Sequence, residues 1–333
     1  MLPISRPATS DEVPIIDLRG GVFTTSEEKT AVALEISEAC KQAGFFYIVN
    51  HGVEAGAVED MFRAAHQFFD LPAEAKEEVS LKKMGHLFRG YLPSFHKGED
   101  PNLKENLQEA FQIHRELPAD DPDYLAGLPL HGPNPWPSAM PDLRQRMLAY
   151  QAKMEKLGKT LLSLMEIGLG LPEHHFDQYF RKSMPMLRLL HYPPQRPDES
   201  GEHIGTRGHT DTGVITILAQ DEVGGLEVLL KSGEWVTAPP VKGSYIINLG
   251  EVMKSWTDGV FSATPHRVIN RYGKERYSVP YFVNPDFHVE FTPHLKNPAP
   301  EKERFKTTIP IQPGMNYGLW VVDAYSRIYN KPK

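Results

Sequence analysis

His209 and Asp211 stand two residues apart in Gly208-His209-Thr210-Asp211-Thr212-Gly213, and His266 follows far along the chain in Pro265-His266-Arg267-Val268-Ile269-Asn270. On an extended backbone, side chains two apart project from the same face. An imidazole and a carboxylate would then leave one strand together, and a second imidazole from another strand would complete a set of three. Two histidines and one carboxylate on one face of a metal leave the other face open, which points to non-heme iron(II) oxygen chemistry. A zinc hydrolase could use the same donors. In a chain with fourteen histidines, His-x-Asp alone is a weak signal. Its weight comes from a second pair, Arg276 and Ser278, again two apart. A guanidinium beside a hydroxyl can grip a carboxylate with geometric control, and zinc hydrolysis does not account for such a grip.

The elements that must position these groups are short strands. Val214-Ile215-Thr216-Ile217-Leu218 is rich in β-branched residues directly after the His-x-Asp pair. Further strands are expected at Leu187–Tyr192, Leu226–Leu230, Glu234–Val236, Ser244–Leu249, His266–Asn270 and Tyr277–Val283. They are divided by turn signals at Gly224-Gly225, Ser232-Gly233, Asp258-Gly259 and Tyr272-Gly273. Many short strands at regular spacing predict a sandwich or a barrel-like jelly roll.

Ahead of that core the texture is different. Residues 1–12 read as a loose leader and Val13–Leu18 as a short edge strand. Thr25 with Glu28 makes a capping-box pattern, and Val32, Ile36 and Cys40 follow helical spacing up to a stop at Gly44. A buried strand is expected across Gly44–Gly52, then a helix through Val58, Phe62, Ala65 and Phe69. Seven prolines between Leu117 and Leu143 mark a long, stiff connection. The strongest helical pattern runs from Leu143 through Met147, Met154 and Leu161 to Gly168, and is expected to pack on a sheet. Lys302–Lys306 and Asn316–Tyr329 read as closing segments. The class is therefore α+β: a helix-rich region over 10–180, a β-core over 183–290 and a C-terminal cover over 291–333.

Bulk properties bound the function. The net charge is −7 with Lys and Arg scattered, which argues against a nucleic-acid partner. No apolar run approaches the ~18 residues of a membrane span, and no secretory signal opens the chain. The single Cys40 rules out an internal disulfide and fits a reducing compartment. A soluble, cytoplasmic protein with a small-molecule substrate is expected, with neither nucleic acid nor membrane as partner; the oligomeric state is not legible.

The sequence resembles the isopenicillin N synthase-like iron(II)/2-oxoglutarate-dependent dioxygenases over nearly its whole length. The resemblance rests on Val13-Pro14-Ile15-Ile16-Asp17-Leu18, Asn50-His51-Gly52, Phe68-Phe69-Asp70-Leu71-Pro72, Gly90-Tyr91, Tyr192-Pro193-Pro194, His209-Thr210-Asp211, Gly224-Gly225-Leu226, Pro265-His266-Arg267-Val268 and Arg276-Tyr277-Ser278. Within that family, 131–137 and 220–226 look most like bacterial ethylene-forming enzymes and fungal natural-product oxygenases, which suggests secondary metabolism. The resemblance implies a double-stranded β-helix (jelly roll). It implies iron(II) on His209, Asp211 and His266, with O2 and 2-oxoglutarate as co-reactants. The distal carboxylate of 2-oxoglutarate would meet Arg276 and Ser278, and a small molecule would be hydroxylated, desaturated or rearranged. Many plant members carry Asn where this chain has Leu190, which cannot hydrogen-bond. Arg188, two residues back and on the same face, is then a candidate for the keto-acid carboxylate or the substrate. Tyr192 is a candidate cosubstrate contact, and Thr212 and Phe282 are candidate substrate contacts. A same-scaffold oxidase that uses no 2-oxoglutarate and a non-catalytic jelly-roll binding protein are the alternatives.

Overall fold

Period-two alternation along one large sheet organises the molecule. The computed structural model describes residues 5–93, 107–194, 204–270, 273–296 and 310–329. In chain order the first half carries β1 (Ile15–Asp17), α1 (Ser26–Gln42), β2 (Phe45–Val49), α2 (Ala55–Phe69), α3 (Ala73–Glu78), α4 (Leu81–Met84), β3 (Gly90–Leu92), β4 (Glu109–His114), α5 (Pro122–Leu125) and α6 (Leu143–Gly168). The second half carries β5 (Met186–Tyr192), β6 (Ile204–His209), β7 (Ile215–Gln220), β8 (Leu226–Leu229), β9 (Trp235–Thr237), β10 (Tyr245–Leu249), α7 (Glu251–Trp256), β11 (His266–Ile269), β12 (Arg276–Val283) and α8 (Tyr317–Tyr329).

Eight strands form the large sheet in the order β1-β2-β10-β7-β12-β5-β4-β3, and four form the small sheet in the order β6-β11-β8-β9. Each large-sheet strand sends alternate residues to opposite faces. Phe46, Phe111, Leu187, Leu189, Ile217, Ile247, Val279 and Tyr281 face one buried cluster together with α1, α2, α6 and α8. Phe45, Tyr47, Ala110, Leu190, Tyr192 and Ile246 face a second cluster, shared with Leu226, Val228, Val236 and Val268 of the small sheet. The large sheet is thus the middle of three layers: helices, large sheet, small sheet. This is the jelly-roll architecture expected from the strand spacing, with α8 as a C-terminal cover helix.

Several expectations are met in detail. Thr25 caps α1 by accepting from the Glu28 N–H at 3.2 Å. The reciprocal half of the capping box is shifted by one residue, because the Glu28 carboxylate takes the Thr24 N–H and hydroxyl. β1 is an edge strand, paired parallel to β2. α6 packs on α1 and α2 as well as on the sheet, and the close crossing with α1 depends on Gly168, where a Cβ would lie 2.6 Å from the Ala33 carbonyl.

Three expectations change. Residues 5–12 are not loose: Ala8 donates to the Thr237 carbonyl, Thr237 donates to the Arg6 carbonyl, and Arg6 pairs with Glu12 and Glu234. Beyond the two strands expected in it, β1 and β2, the helix-rich region 10–180 also supplies β3 and β4 to the large sheet. β4, β6 and the short α7 are additional elements. β4 escapes pattern reading because Glu109, Gln112 and His114 are polar and yet buried. Glu109 is satisfied there by Lys76, Tyr91 and His191. Lys302–Lys306 and Tyr272 lie outside the described residues. Among those described, no helix is long and apolar enough to cross a membrane.

Candidate active site

His209 ends β6 and His266 opens β11, and the two are cross-strand partners in the small sheet. Their rings lie 4.3 Å apart, centre to centre. Each Nδ1 faces a backbone carbonyl two residues back: Arg207 at 2.8 Å for His209, Thr264 at 3.2 Å for His266. A carbonyl can only accept, so Nδ1 carries the proton in each ring and Nε2 keeps its lone pair. Both Nε2 atoms converge on Asp211 Oδ1, at 3.6 Å and 3.7 Å.

Asp211 sits in the turn between β6 and β7, fixed from the large-sheet side. Thr216 on β7 donates its hydroxyl to Oδ2 at 2.5 Å, and Asn248 on β10 donates its amide to the same oxygen at 2.6 Å. Oδ2 is therefore occupied and Oδ1 is presented to the histidines. The turn backbone is held by the start of α7, where Glu251 donates to the Asp211 carbonyl at 2.8 Å and Val252 to the Gly213 carbonyl at 3.1 Å. Gly250 is required at this junction because a Cβ there would overlap the Gly213 and Asp211 carbonyls.

The protonation states suit ligation. Burial pushes the His266 imidazole down to about 4, and the adjacent His209 adds to this, so the ring is neutral near pH 7. Burial opposes ionisation of Asp211, but His266, His209 and the Thr216 and Asn248 hydrogen bonds outweigh it and hold the carboxyl below its ordinary value. Two imidazole lone pairs and one free carboxylate oxygen lie within 4.8 Å of one another. Such a donor set fits a divalent first-row metal and leaves one side open.

The cavity beside these donors runs along the inner face of the large sheet. Arg276, Ser278, Pro280 and Phe282 alternate along β12 and all line it. Arg276 is 1 % exposed. Its Nε donates to the Gly224 carbonyl at 2.5 Å and its Nη1 to Ser278 Oγ at 3.1 Å. The Tyr192 ring supports the guanidinium at 4.6 Å, and Gly205 allows this because a Cβ there would lie 2.8 Å from that ring. Among the described residues no carboxylate pairs with Arg276. The acid nearest to it in effect, Asp221, is taken by the Tyr277 and Val223 N–H groups. Among the described residues the guanidinium is thus oriented without a carboxylate in direct contact.

The remaining sequence candidates fall as follows. Tyr192 lines the cavity, but its hydroxyl meets Thr206 Oγ1 at 3.3 Å, and Thr206 donates to Gln108 at 3.0 Å. Leu190 and Arg188 line it from β5, and Arg188 Nε is buried without a hydrogen-bond partner. Phe282 lines it. Thr212 is not among the residues lining it; it neighbours the Tyr325 hydroxyl on α8. Gln108, Thr206, Thr216 and Asn248 belong to the site and were not singled out from sequence. Thr216 and Asn248 sit inside apolar strands, and only the alternation of those strands could have placed them on the inner face.

Comparison with known proteins agrees with this geometry. Residues 13–139 match the family model described as non-haem dioxygenase in morphine synthesis N-terminal, and residues 183–285 match the 2OG-Fe(II) oxygenase superfamily. The 2-oxoglutarate-Fe(II) type oxidoreductase hxnY of Emericella nidulans is 36% identical over 284 residues, covering 82% of this chain and 80% of that protein. The 2-oxoglutarate-dependent dioxygenase tropC of Talaromyces stipitatus is 37% identical over 297 residues, covering 85% and 90%. Among solved structures, a full-length Neurospora crassa protein in complex with alpha-KG and thymine superposes with a TM-score of 0.79 at 25% identity, covering 97% of this chain and 99% of that one.

Proposed function

The chain belongs to the 2OG-Fe(II) oxygenase superfamily, and on that premise we propose that His209, Asp211 and His266 hold its iron(II) and that Arg276 with Ser278 holds the distal carboxylate of 2-oxoglutarate. The protein is an iron(II)- and 2-oxoglutarate-dependent dioxygenase, and its relatives include 2-oxoglutarate-dependent dioxygenases of the fungi Talaromyces stipitatus and Penicillium crustosum. The observation that carries the residue assignment is the division of labour at Asp211: Oδ2 is bound by Thr216 and Asn248, while Oδ1 faces two imidazole Nε2 atoms.

Iron(II) with 2-oxoglutarate and O2 supplies oxidative power, coupled to decarboxylation of the keto acid to succinate and carbon dioxide. The protein's own residues set the stage. Thr216 and Asn248 keep one carboxylate oxygen free for the metal, and the Arg207 and Thr264 carbonyls hold the imidazoles in the right tautomer. Arg276, fixed by Gly224 and stacked on Tyr192, meets a carboxylate without having to reorganise. Leu218, Leu226 and Val268 make that end of the cavity apolar, which excludes water and strengthens the ion pair. Arg188 and Phe282 line the cavity on the metal side and are placed toward the substrate. On this reading residues 183–290 carry most of the site, Gln108 reaches it from the region 10–180, and α8 is the cover helix. The Neurospora crassa protein, whose complex contains thymine, supports a small molecule as the substrate here.

The test is spectroscopic. Iron(II) and 2-oxoglutarate added without oxygen should give a weak visible charge-transfer band, and admitting oxygen should yield succinate. Folded protein that gives neither would overturn this reading in favour of a 2-oxoglutarate-free oxidase or a binding protein.

A further inference from the structure

The stretch 220–226 joins the two sheets: Gln220 ends β7 in the large sheet and Leu226 opens β8 in the small one. Its acid, Asp221, is half-buried and is not among the residues lining the cavity. Its bonds nevertheless lead to Arg276 by two routes.

The first route is the strand ladder. The last regular pair between β7 and β12 is Gln220 with Ser278. One residue further, the Asp221 N–H still donates to the Tyr277 carbonyl, at 3.2 Å. The return bond comes from a side chain, because the Tyr277 N–H donates to Asp221 Oδ2 at 2.5 Å. The carboxylate thus stands in for a strand carbonyl on the residue next to Arg276. The second route is the turn. Asp221 Oδ1 accepts the Val223 N–H at 3.0 Å, which folds the chain back on itself. The fold-back brings the Gly224 carbonyl to Arg276 Nε at 2.5 Å. The far side of the turn is tied to the strand that His266 opens, where the Ile269 N–H donates to the Gly225 carbonyl at 2.9 Å. Gly225 has φ 91°, and a Cβ there would lie 2.6 Å from the Ile269 carbonyl. One carboxylate therefore holds both the backbone beside Arg276 and the carbonyl that aims its guanidinium.

Burial raises the Asp221 carboxyl, while the Tyr277 N–H and Arg276 favour its charged form. A planar guanidinium grips a carboxylate well only when its plane is set beforehand, and groups behind the contact set it. From this geometry we infer that Asp221 is the positioning residue of the Arg276 clamp. It acts through Gly224 and Tyr277, and it sets the preference for a 2-oxo acid that carries a second carboxylate. The inference rests on the assignment of Arg276 to 2-oxoglutarate and adds a residue that works behind it.

The experiment uses the full chain, loaded with iron(II) without oxygen. The visible band is titrated with 2-oxoglutarate and with 2-oxopentanoate, which has the same carbon chain and no second carboxylate. The wild-type protein should bind 2-oxoglutarate about tenfold more tightly or better. Asp221→Ala should remove most of that preference, a loss of about tenfold, and Asp221→Asn, which keeps one acceptor, should remove less. Affinities for 2-oxopentanoate and for iron(II) should stay within about twofold in both variants. An unchanged preference in both variants would overturn the proposal. So would an equal loss for the two acids, which is what a general loosening of the turn produces. A second readout needs no ligand. In protein isotopically labelled at arginine Nε, the Arg276 Nε–H is identified by its loss in Arg276→Gln. It should exchange with solvent about tenfold faster or more in Asp221→Asn, and an unchanged rate would overturn the proposal. A wild-type protein with no band, or with no preference between the two acids, would count instead against the iron and 2-oxoglutarate reading. The exchange rate alone would then decide the role of Asp221.

Discussion

Asn248 donates its side-chain amide to Asp211 Oδ2 at 2.6 Å, from β10, where it is the cross-strand partner of Thr216 on β7. This bond decides which carboxylate oxygen is left for a metal. Asn248→Leu should therefore weaken iron(II) or cobalt(II) binding by about 10- to 100-fold, the usual cost of losing an outer-shell partner. Thr216→Val should do the same, since its hydroxyl meets the same oxygen at 2.5 Å. Anaerobic metal titration checks this, and unchanged affinity would show that the orientation of Asp211 does not depend on these bonds.

His209 supplies one of three convergent donors. His209→Ala should abolish stoichiometric iron binding, measured by metal analysis after dialysis. Chelator treatment of the wild-type protein should also remove the metal but leave circular dichroism unchanged. The inter-sheet cluster around Phe45, Leu226 and Val268 is built without it. Only the melting temperature should fall, as mass action requires.

Arg276 has its Nε and Nη1 committed within the protein, and among the described residues no carboxylate pairs with it. Arg276→Gln should raise the 2-oxoglutarate dissociation constant by about 10- to 100-fold, in line with the ~1.5–3 kcal/mol of a charged hydrogen bond. Titration of the visible band measures it. A dissociation constant equal to wild type would move the distal carboxylate elsewhere.

Arg89 is 0 % exposed and ties the proline-rich connection to the sheet. It donates to the Gly132 carbonyl at 2.5 Å, Asn134 Oδ1 at 3.0 Å, the Arg115 carbonyl at 3.3 Å, and the Leu130 carbonyl. Burial lowers its pKa to about 10, still well above neutrality. Arg89→Met removes these donors at once and strands buried carbonyls, so unfolding free energy in urea should drop by about 3 kcal/mol or more. A drop under about 1 kcal/mol would mean that water replaces the guanidinium.

His114 gives a pH signature. Burial, with Arg89 nearby, pushes its imidazole down to about 3. In the unfolded chain the ring binds a proton near pH 6.5. Between those values the unfolded state holds the extra proton, so stability is complete above about pH 6.5 and is lost as pH falls toward 3. His114→Gln should flatten the stability–pH slope in that window by up to about 1.4 kcal/mol per pH unit. An unchanged slope would refute the assignment.

The candidate donor set was legible because His209 and Asp211 stand at a spacing that a strand makes meaningful and because Arg276 and Ser278 repeat that spacing downstream. Arg276 and Ser278 were legible for the same reason. The residues that orient them were not. Thr216 and Asn248 are ordinary polar residues inside apolar strands, and their role appears only when β7 and β10 pair so that both reach one carboxylate oxygen. β4 was missed because burial there is compatible with Glu109 and His114 only through partners distant in sequence, Lys76, Tyr91 and Phe88 among them. In each case the missing information is pairing between distant segments, which local pattern does not carry.

The register between β6 and β11 is irregular beyond the histidines. His266 faces His209, but Val268 faces Thr206 and Ile269 faces Ile204, so the pairing slips twice in three positions. In a regular ladder, a one-residue change anywhere upstream would rotate His209 to the opposite face. The two irregularities lie just beyond the histidines, where they bend and twist the strand without altering the His266–His209 pair. The two imidazoles therefore meet at the one regular pair of a slipped ladder, and their juxtaposition rests on that pair rather than on the register of the whole strand.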